Sequence, residues 1–291
     1  MADVRFSKGH GTQNDFVILP DPDGDLELTE HRVRALCDRR RGIGADGVLR
    51  VVRSAALNDS HPGVPEDSWF MDYRNSDGSI VEMCGNGVRV FAHYLVESGL
   101  AAPGEFVIGT RSGPKGVLVG ADGTVTVDMG RVRIGAASTA AVGGRTFDGI
   151  AVDVGNPHLA CVIGAADDGQ TEARAALLTD LDLTVPPAHD PVAFPHGVNV
   201  EFIVPIDSDR AEMRVHERGV GETRSCGTGT VAAVAAALRA DGRDTGRMLV
   251  NTLGGPLTVT IGTDDSQLTG SAVLVAEGSL DALWWQQADV V

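Results

Sequence analysis

The chain has 291 residues, 43% hydrophobic and 22% charged, enough for two domains of ordinary size with substantial cores. Forty acidic against 24 basic residues give a formal charge of −16, which argues against nucleic acid and anionic membranes as partners. No apolar run is long enough to span a bilayer, MADVRFSKGHG lacks the pattern of a secretion signal, and four scattered cysteines without a C-x-x-C pair argue against a disulfide scaffold or structural zinc. A cytoplasmic protein with reduced thiols is expected.

In chain order, short β-branched runs bounded by Gly, Pro, Asp or Asn predict strands at 15–20, 47–52, 69–75, 105–110, 116–120 and 124–130. The same character returns at 149–156, 158–164, 197–205, 211–219, 247–252 and 256–262. A helix is predicted over TEHRVRALCDRRRG, 29–42, from a Thr N-cap to a terminal Gly. Two more follow glycine turns, at 88–99 and 230–242. In the first, Val88, Phe91, Ala92 and Leu95 lie on one face and Val90 and Tyr94 on another; the second has no polar residue from Val231 to Leu238. A helix apolar all round must be buried all round, so a sheet curled about a central helix is expected, twice over.

Each of these two helices is preceded by cysteine and Gly-x-Gly: Cys84 in MCGNG and Cys226 in SCGTGT, 142 positions apart. Asn14 in QNDFVIL and Asn156 in GNPHLACV are also 142 apart, and each opens an apolar run. The matched offsets indicate an internal duplication. The expected architecture is α+β, with two pseudo-symmetric domains, each a mostly antiparallel curled sheet around one helix. Residues 1–131 form the domain carrying Cys84 and 132–270 the domain carrying Cys226; the boundary lies near 129–137, and 271–291 return to the first domain.

A thiol at a helix N-terminus lies near the positive end of the macrodipole, which favours thiolate, and first-turn N–H groups suit a carboxylate. Two such turns about one substrate would set a thiol on each side of a carbon. Stereoinversion needs that pair, one thiolate and one thiol, titrating as a coupled unit. Taken singly, either turn also reads as a plain glycine loop. Cys37 and Cys161 sit in apolar periodic runs without glycine turns and read as inert core thiols.

KGHGTQNDF (8–16), MDYRNSDGSIVEMCGNGVR (71–89), VGNPH (154–158), GVNVEF (197–202) and VHERGVGETRSCGTGT (215–230) together resemble the diaminopimelate epimerases over most of the chain. The resemblance implies interconversion of LL- and meso-diaminopimelate by two cysteines, without cofactor or metal, in lysine and peptidoglycan precursor synthesis. It implies Cys84 and Cys226 as exchanging base and acid, and Gly85-Asn86 and Gly227-Thr228 as the turns that grip the carboxylate beside the reacting carbon. Asn14 and Asn156 would contact substrate, and His158 and Glu217 would orient the amine and support the thiols. Asn75, Asn199 and Arg218 would hold the distal amino acid end; an arginine fork binds a carboxylate bidentately. Taken alone, Glu217 reads as a surface carboxylate and His158 as a core histidine. Two departures stand out. Gly47 replaces a glutamine of the family. Ala276 replaces a tyrosine that some members use between subunits, which removes that contact from a homodimer, the one protein partner expected.

The nearest rival is a proline, hydroxyproline or other amino acid racemase of the same two-thiol chemistry. Asn86 stands where the proline racemases usually carry histidine, and Arg218 and Asn199 would be surplus for proline. A thiol redox or metal-binding protein is the remote alternative, with no third and fourth ligand in view. A pyridoxal enzyme would need a Schiff-base lysine, and the two lysines, Lys8 and Lys115, are expected in glycine-flanked loops.

Overall fold

The structure is a computed structural model that describes residues 4–57, 61–164 and 169–289. The chain forms two compact units. Unit 1 comprises the described residues up to Val127 and those from Ser271 onward; unit 2 is Asp128–Gly270. Among the described residues are five α-helices: α1 (Glu30–Cys37), α2 (Gly85–Glu97), α3 (Thr171–Asp180), α4 (Gly227–Ala240) and α5 (Ala282–Gln287). No helix among them is long and apolar enough to cross a membrane.

The strands of unit 1 run, in spatial order, Val273–Ser279, Arg5–Gly11, Asn14–Pro20, Gly47–Arg53, Trp69–Asn75, Gly104–Thr110 and Gly113–Val119, with Thr124–Asp128 pairing onto the last. All neighbours are antiparallel except two. Asn14–Pro20 is parallel to Gly47–Arg53, and Trp69–Asn75 is parallel to Gly104–Thr110. Parallel neighbours cannot be joined by a hairpin. The two crossovers contain α1 and α2.

Unit 2 repeats this plan. Arg133–Val142, Arg145–Asp153, Pro157–Val162, Asn199–Pro205, Arg210–Glu217, Gly246–Thr252, Gly255–Ile261 and Ser266–Ser271 pair in that order. Its two parallel pairs, Pro157–Val162 with Asn199–Pro205 and Arg210–Glu217 with Gly246–Thr252, span α3 and α4. The order and direction match unit 1 strand for strand, so the duplication in sequence is a duplication in fold.

α2 packs on strands from both sides of its sheet, including Arg5–Gly11, Asn14–Pro20, Gly113–Val119 and Val273–Ser279. α4 likewise meets Pro157–Val162, Asn199–Pro205, Gly255–Ile261 and Arg145–Asp153. Ten consecutive residues of α4, Gly229 to Leu238, are buried. Each sheet thus curls about its helix. Each buried Val, Leu or Phe stabilises the enclosure by about 1.5–3 kcal/mol.

Four expectations need correction. The first helix stops at Cys37 rather than Gly42, because the Asp38 carboxylate accepts from the N–H groups of Arg40 and Arg41 at 2.8 and 2.9 Å and turns the chain. The glycine turns are not separate loops: Gly85 and Gly227 are the first residues of α2 and α4, with Cys84 and Cys226 as N-caps. Lys8 and Lys115 lie on strands, since the flanking glycines have extended backbone pairing, and Lys8 is bound to Asp15 at 2.5 Å. Arg133–Val142 begins a long strand within the stretch taken as the boundary, while the units divide at Val127 and Asp128. Arg5–Gly11, Ser266–Ser271, Val273–Ser279, α3 and α5 were not anticipated.

One charged cluster anchors the strand leading toward α2. Asp72, fully buried on Trp69–Asn75, meets Arg111 at 2.7 Å, Arg74 at 3.0 Å and Arg50 at 3.1 Å. Burial alone would raise its carboxyl, but the three guanidinium groups outweigh that and hold it below the usual range. A depressed carboxyl contributes stability above its unfolded-state titration, and that contribution fades as pH falls through the depressed range. Asp72→Asn should therefore cost about 3–5 kcal/mol at neutral pH by taking the carboxylate from three largely buried guanidinium groups, of which, among the described residues, only Arg50 keeps another, Asp21. Urea unfolding at pH 7 and pH 3 should show the gap between variant and parent shrinking in acid; a pH-independent gap would count against this role.

Candidate active site

Cys84 is half-buried at the N-cap of α2, with extended backbone at φ −139° and ψ 120°. Its Sγ lies 3.7 Å from Oδ1 of Asn14, at the start of the neighbouring strand. Asn86 donates from Nδ2 to the same Oδ1 at 3.3 Å, and Asn14 donates in turn to Asp46 at 2.8 Å. Beneath them Arg89 donates through Nη2 to Asn86 Oδ1 at 2.9 Å and Thr12 Oγ1 at 3.0 Å. The structure thus brings Cys84, Asn14 and Asn86 together. Gly85 is the first helical residue, and an α-helix leaves its first-turn N–H groups without acceptors of its own.

Unit 2 builds the corresponding arrangement with different chemistry. Cys226 is buried at the N-cap of α4, with Sγ 3.6 Å from Thr228 Oγ1. Asn156 donates to that hydroxyl at 3.4 Å and accepts through Oδ1 from His158 Nε2 at 2.9 Å. His158 Nδ1 lies 2.7 Å from Glu201 Oε1, and both residues are fully buried. Gly227 again opens the helix. Burial pushes the Cys226 thiol well up, the carboxylates of Glu217 and Glu201 add to that, and the Thr228 hydroxyl opposes it. Cys37 and Cys161, outside both arrangements, are buried and pushed up to about 12, chiefly by desolvation.

Glu201 was named by no sequence argument. It sits on Asn199–Pro205, where every other residue but Asn199 is apolar, and that lone acid in a buried strand was the available signal. Burial raises its carboxyl, opposed by the contact to His158. Oε2 has no hydrogen-bond partner among the described residues.

The residues expected at the distal end divide between the units. In unit 2, Asn199 Oδ1 accepts from the Arg218 backbone N–H at 2.9 Å. Arg218 is exposed, its Nη1 donates to the His196 carbonyl at 3.1 Å, and among the described residues its guanidinium makes no ion pair. Glu217 precedes it and accepts from Thr223 Oγ1 at 2.5 Å. In unit 1, Asn75 pairs with Gly47 across two strands, accepts from Tyr73 Oη at 2.8 Å and donates to Ser79 Oγ at 3.3 Å. A Cβ on Gly47 would come 2.6 Å from the Arg74 carbonyl and 2.7 Å from the Tyr73 ring. Tyr73 therefore fills the space a glutamine would need, which accounts for the glycine there.

Two units, each a sheet curled about an enclosed helix, define a fold class that known structures share. A phenazine biosynthesis protein of the PhzF family from Bacillus anthracis superposes with TM-score 0.69 at 16% identity, covering 97% of this chain and 100% of its own. A hydroxyproline epimerase from Agrobacterium vitis, with bound trans-4-hydroxy-L-proline, superposes with TM-score 0.62 at 17% identity over 97% and 94% of the two chains. Sequence narrows this further. The family model for diaminopimelate epimerase matches residues 6–135 and 150–278. The diaminopimelate epimerase of Rhodococcus opacus is 58% identical over 97% of this chain and 99% of its own length; that of Mycolicibacterium smegmatis is 56% identical over 96% and 98%. The chain belongs to the diaminopimelate epimerase family, and so to the isomerases.

Gly87 and Gly229, equivalent in the two helices, offer a direct comparison of the two surroundings. A Cβ on Gly229 would meet Glu201 Oε1 at 2.6 Å and Cys226 Sγ at 3.3 Å, whereas on Gly87 the nearest atom is Leu49 Cδ2 at 3.4 Å. Ala generally favours a helix over Gly by about 1 kcal/mol. Gly87→Ala should leave thermal stability unchanged or raised, while Gly229→Ala lowers it by displacing the buried carboxylate; equal melting shifts would contradict the packing described.

Proposed function

We propose that the protein interconverts LL- and meso-2,6-diaminopimelate, in the cytoplasm, as a step toward lysine and peptidoglycan precursors. The observation that supports this best is the same construction in each unit: a cysteine at the N-cap of an enclosed helix, beside an asparagine from the adjacent strand. Curated relatives at more than half identity carry the corresponding name over nearly the whole chain. The hydroxyproline epimerase is alike in fold at 17% identity, which favours the diaminopimelate reading over the racemase one.

In this reading Cys84 and Cys226 act on opposite sides of one α-carbon. The thiolate removes the α-proton while the other thiol delivers one to the opposite face, and the roles reverse in the other direction. The first-turn N–H groups of Gly85-Asn86 and Gly227-Thr228 hold the adjacent carboxylate, whose negative charge the helix termini favour and whose enediolate-like charge grows as the proton leaves. Asn14 and Asn156 contact the substrate beside each thiol. His158 and Glu217 orient the amine and support the thiols. Asn75, Asn199 and Arg218 hold the distal amino acid end, for which an arginine without an ion pair of its own among the described residues is suited. The activity is assigned without cofactor or metal. A homodimer would form without a tyrosine at position 276, where Ala276 is exposed on its strand.

Turnover of LL-diaminopimelate in heavy water by the reduced protein should place one solvent deuterium at an α-carbon, with no pyridoxal phosphate added. Cys84→Ala and Cys226→Ala should each lose about a thousandfold or more in kcat. Product without solvent hydrogen, or a fully active single variant, would overturn the two-base reading. Arg218→Ala should raise KM by about tenfold to a hundredfold, the worth of a charge-assisted contact, with a smaller effect on kcat. An unchanged KM would remove Arg218 from the distal site.

A further inference from the structure

Arg89 is the largest fully buried side chain among the described residues. It lies five residues after Cys84 on α2, and Gly11, whose Cβ would come 3.1 Å from Nη2, leaves room for its head group. Nη2 is satisfied by Asn86 and Thr12, Nε has only a long contact of 3.5 Å to the Ser271 carbonyl, and Nη1 has no acceptor among the described residues. Among the described residues no carboxylate forms an ion pair with it. Burying an unpaired guanidinium is strongly unfavourable, so an anion nearby is required to make the placement tolerable. Burial lowers this guanidinium to about 10, which still leaves it charged at neutral pH, and the Cys84 sulfur is the one ionisable group that offsets the shift.

The duplicated fold supplies the control. At the same offset of 142 the equivalent of Arg89 is Val231, and the equivalent of Phe16 is His158. Strand register makes Leu49 the equivalent of Glu201, since Phe16 pairs with Gly47 as His158 pairs with Asn199. The surroundings of the two thiols therefore differ in kind. Cys84 connects through Asn14 and Asn86 to a buried cation and lies near apolar Phe16 and Leu49; Cys226 lies near Glu201, itself paired with His158, with valine in the arginine's place.

We infer that Arg89 is the positioning residue that holds Cys84 as the thiolate in the unliganded protein, leaving Cys226 as the protonated partner. Its catalytic meaning rests on the two-base reading above. Other charges on the elements around α2 are already matched: Asp15 by Lys8 and Arg39, Asp46 by Arg39, and Asp72 by Arg50, Arg74 and Arg111. Arg5, His10, Lys115 and Glu277 on the packed strands, His93 on α2, and Glu82 just before it are exposed or partly exposed.

The test is the pH dependence of iodoacetamide alkylation, followed by peptide mapping of Cys84 in Cys226→Ala protein and of Cys226 in Cys84→Ala protein. Cys84 is expected to show the lower inflection. Arg89→Met should raise that inflection by about one pH unit or more, a tenfold loss of Cys84 alkylation rate below it, while leaving the Cys226 profile unmoved. Arg89→Lys, which keeps the charge, should fall between. A merely structural role for Arg89 would not move one thiol's inflection and spare the other's. If Arg89→Met does not fold, the order of the two inflections with Arg89 intact and the Arg89→Lys shift decide the matter: a lower inflection at Cys226, or a Cys84 inflection that neither substitution moves, overturns the inference. The titration needs no turnover. A protein inactive on diaminopimelate but with a low Cys84 inflection would sink the proposed function and leave the Arg89 assignment standing, and the converse result would do the reverse.

Discussion

The structure depends on enclosing two helices, one apolar over most of its circumference and the other over all of it. Such a helix cannot lie on a surface, so the sheet of each unit must bend around it. That constraint explains the strand order, in which the two parallel pairs of each unit exist because a helix lies in the crossover between them. It also explains the glycine at Gly229, where a side chain would press on Glu201 of a strand closing over the first turn. A helix held on all sides has an N-terminus held equally well. Cys84 and Cys226, as N-caps, inherit their positions from the core rather than from loops.

The duplication preserves geometry and varies charge. Strand order, parallel pairs, capping cysteine and neighbouring asparagine recur in both units. What lies beneath the cysteine does not: Arg89 and two apolar side chains in unit 1, the His158–Glu201 pair in unit 2. A reaction that removes a proton on one side and supplies one on the other needs one ionised and one protonated group at any moment. Two identical surroundings would leave both thiols equally willing to ionise, and two thiolates acting on one carbon would repel. In the proposed two-base reading, a repeated scaffold with such different buried surroundings would let one thiol ionise while the other stays protonated, without giving up the symmetry of the backbone.

Gly47 shows the same economy at smaller scale. Where relatives are expected to carry glutamine, this chain has a glycine, and Tyr73 from the facing strand occupies the space and donates to Asn75. In this chain the space beside Gly47 belongs to a polar side chain from across the sheet.

Much was readable from the chain because it is governed by short-range rules. Two-residue alternation and turn residues mark most of the strands, an unbroken apolar run such as Val231 to Leu238 marks a helix that must be buried, and the common offset of 142 exposes the duplication along with its cysteines and asparagines. Strands such as Arg5–Gly11, RFSKGHG, and Val273–Ser279, VLVAEGS, escaped because glycine and polar residues interrupt their pattern; they are strands because their partners make them so. Glu201 and Arg89 were quoted within motifs yet had no visible role, since a charge on a buried face looks in sequence like any other charge. Only the folded units decide that Arg89 has no carboxylate beside it among the described residues and that Glu201 lies against His158. Pairings of this kind join residues tens to hundreds of positions apart, and the energy of a buried charge depends on what surrounds it rather than on what precedes it in the chain.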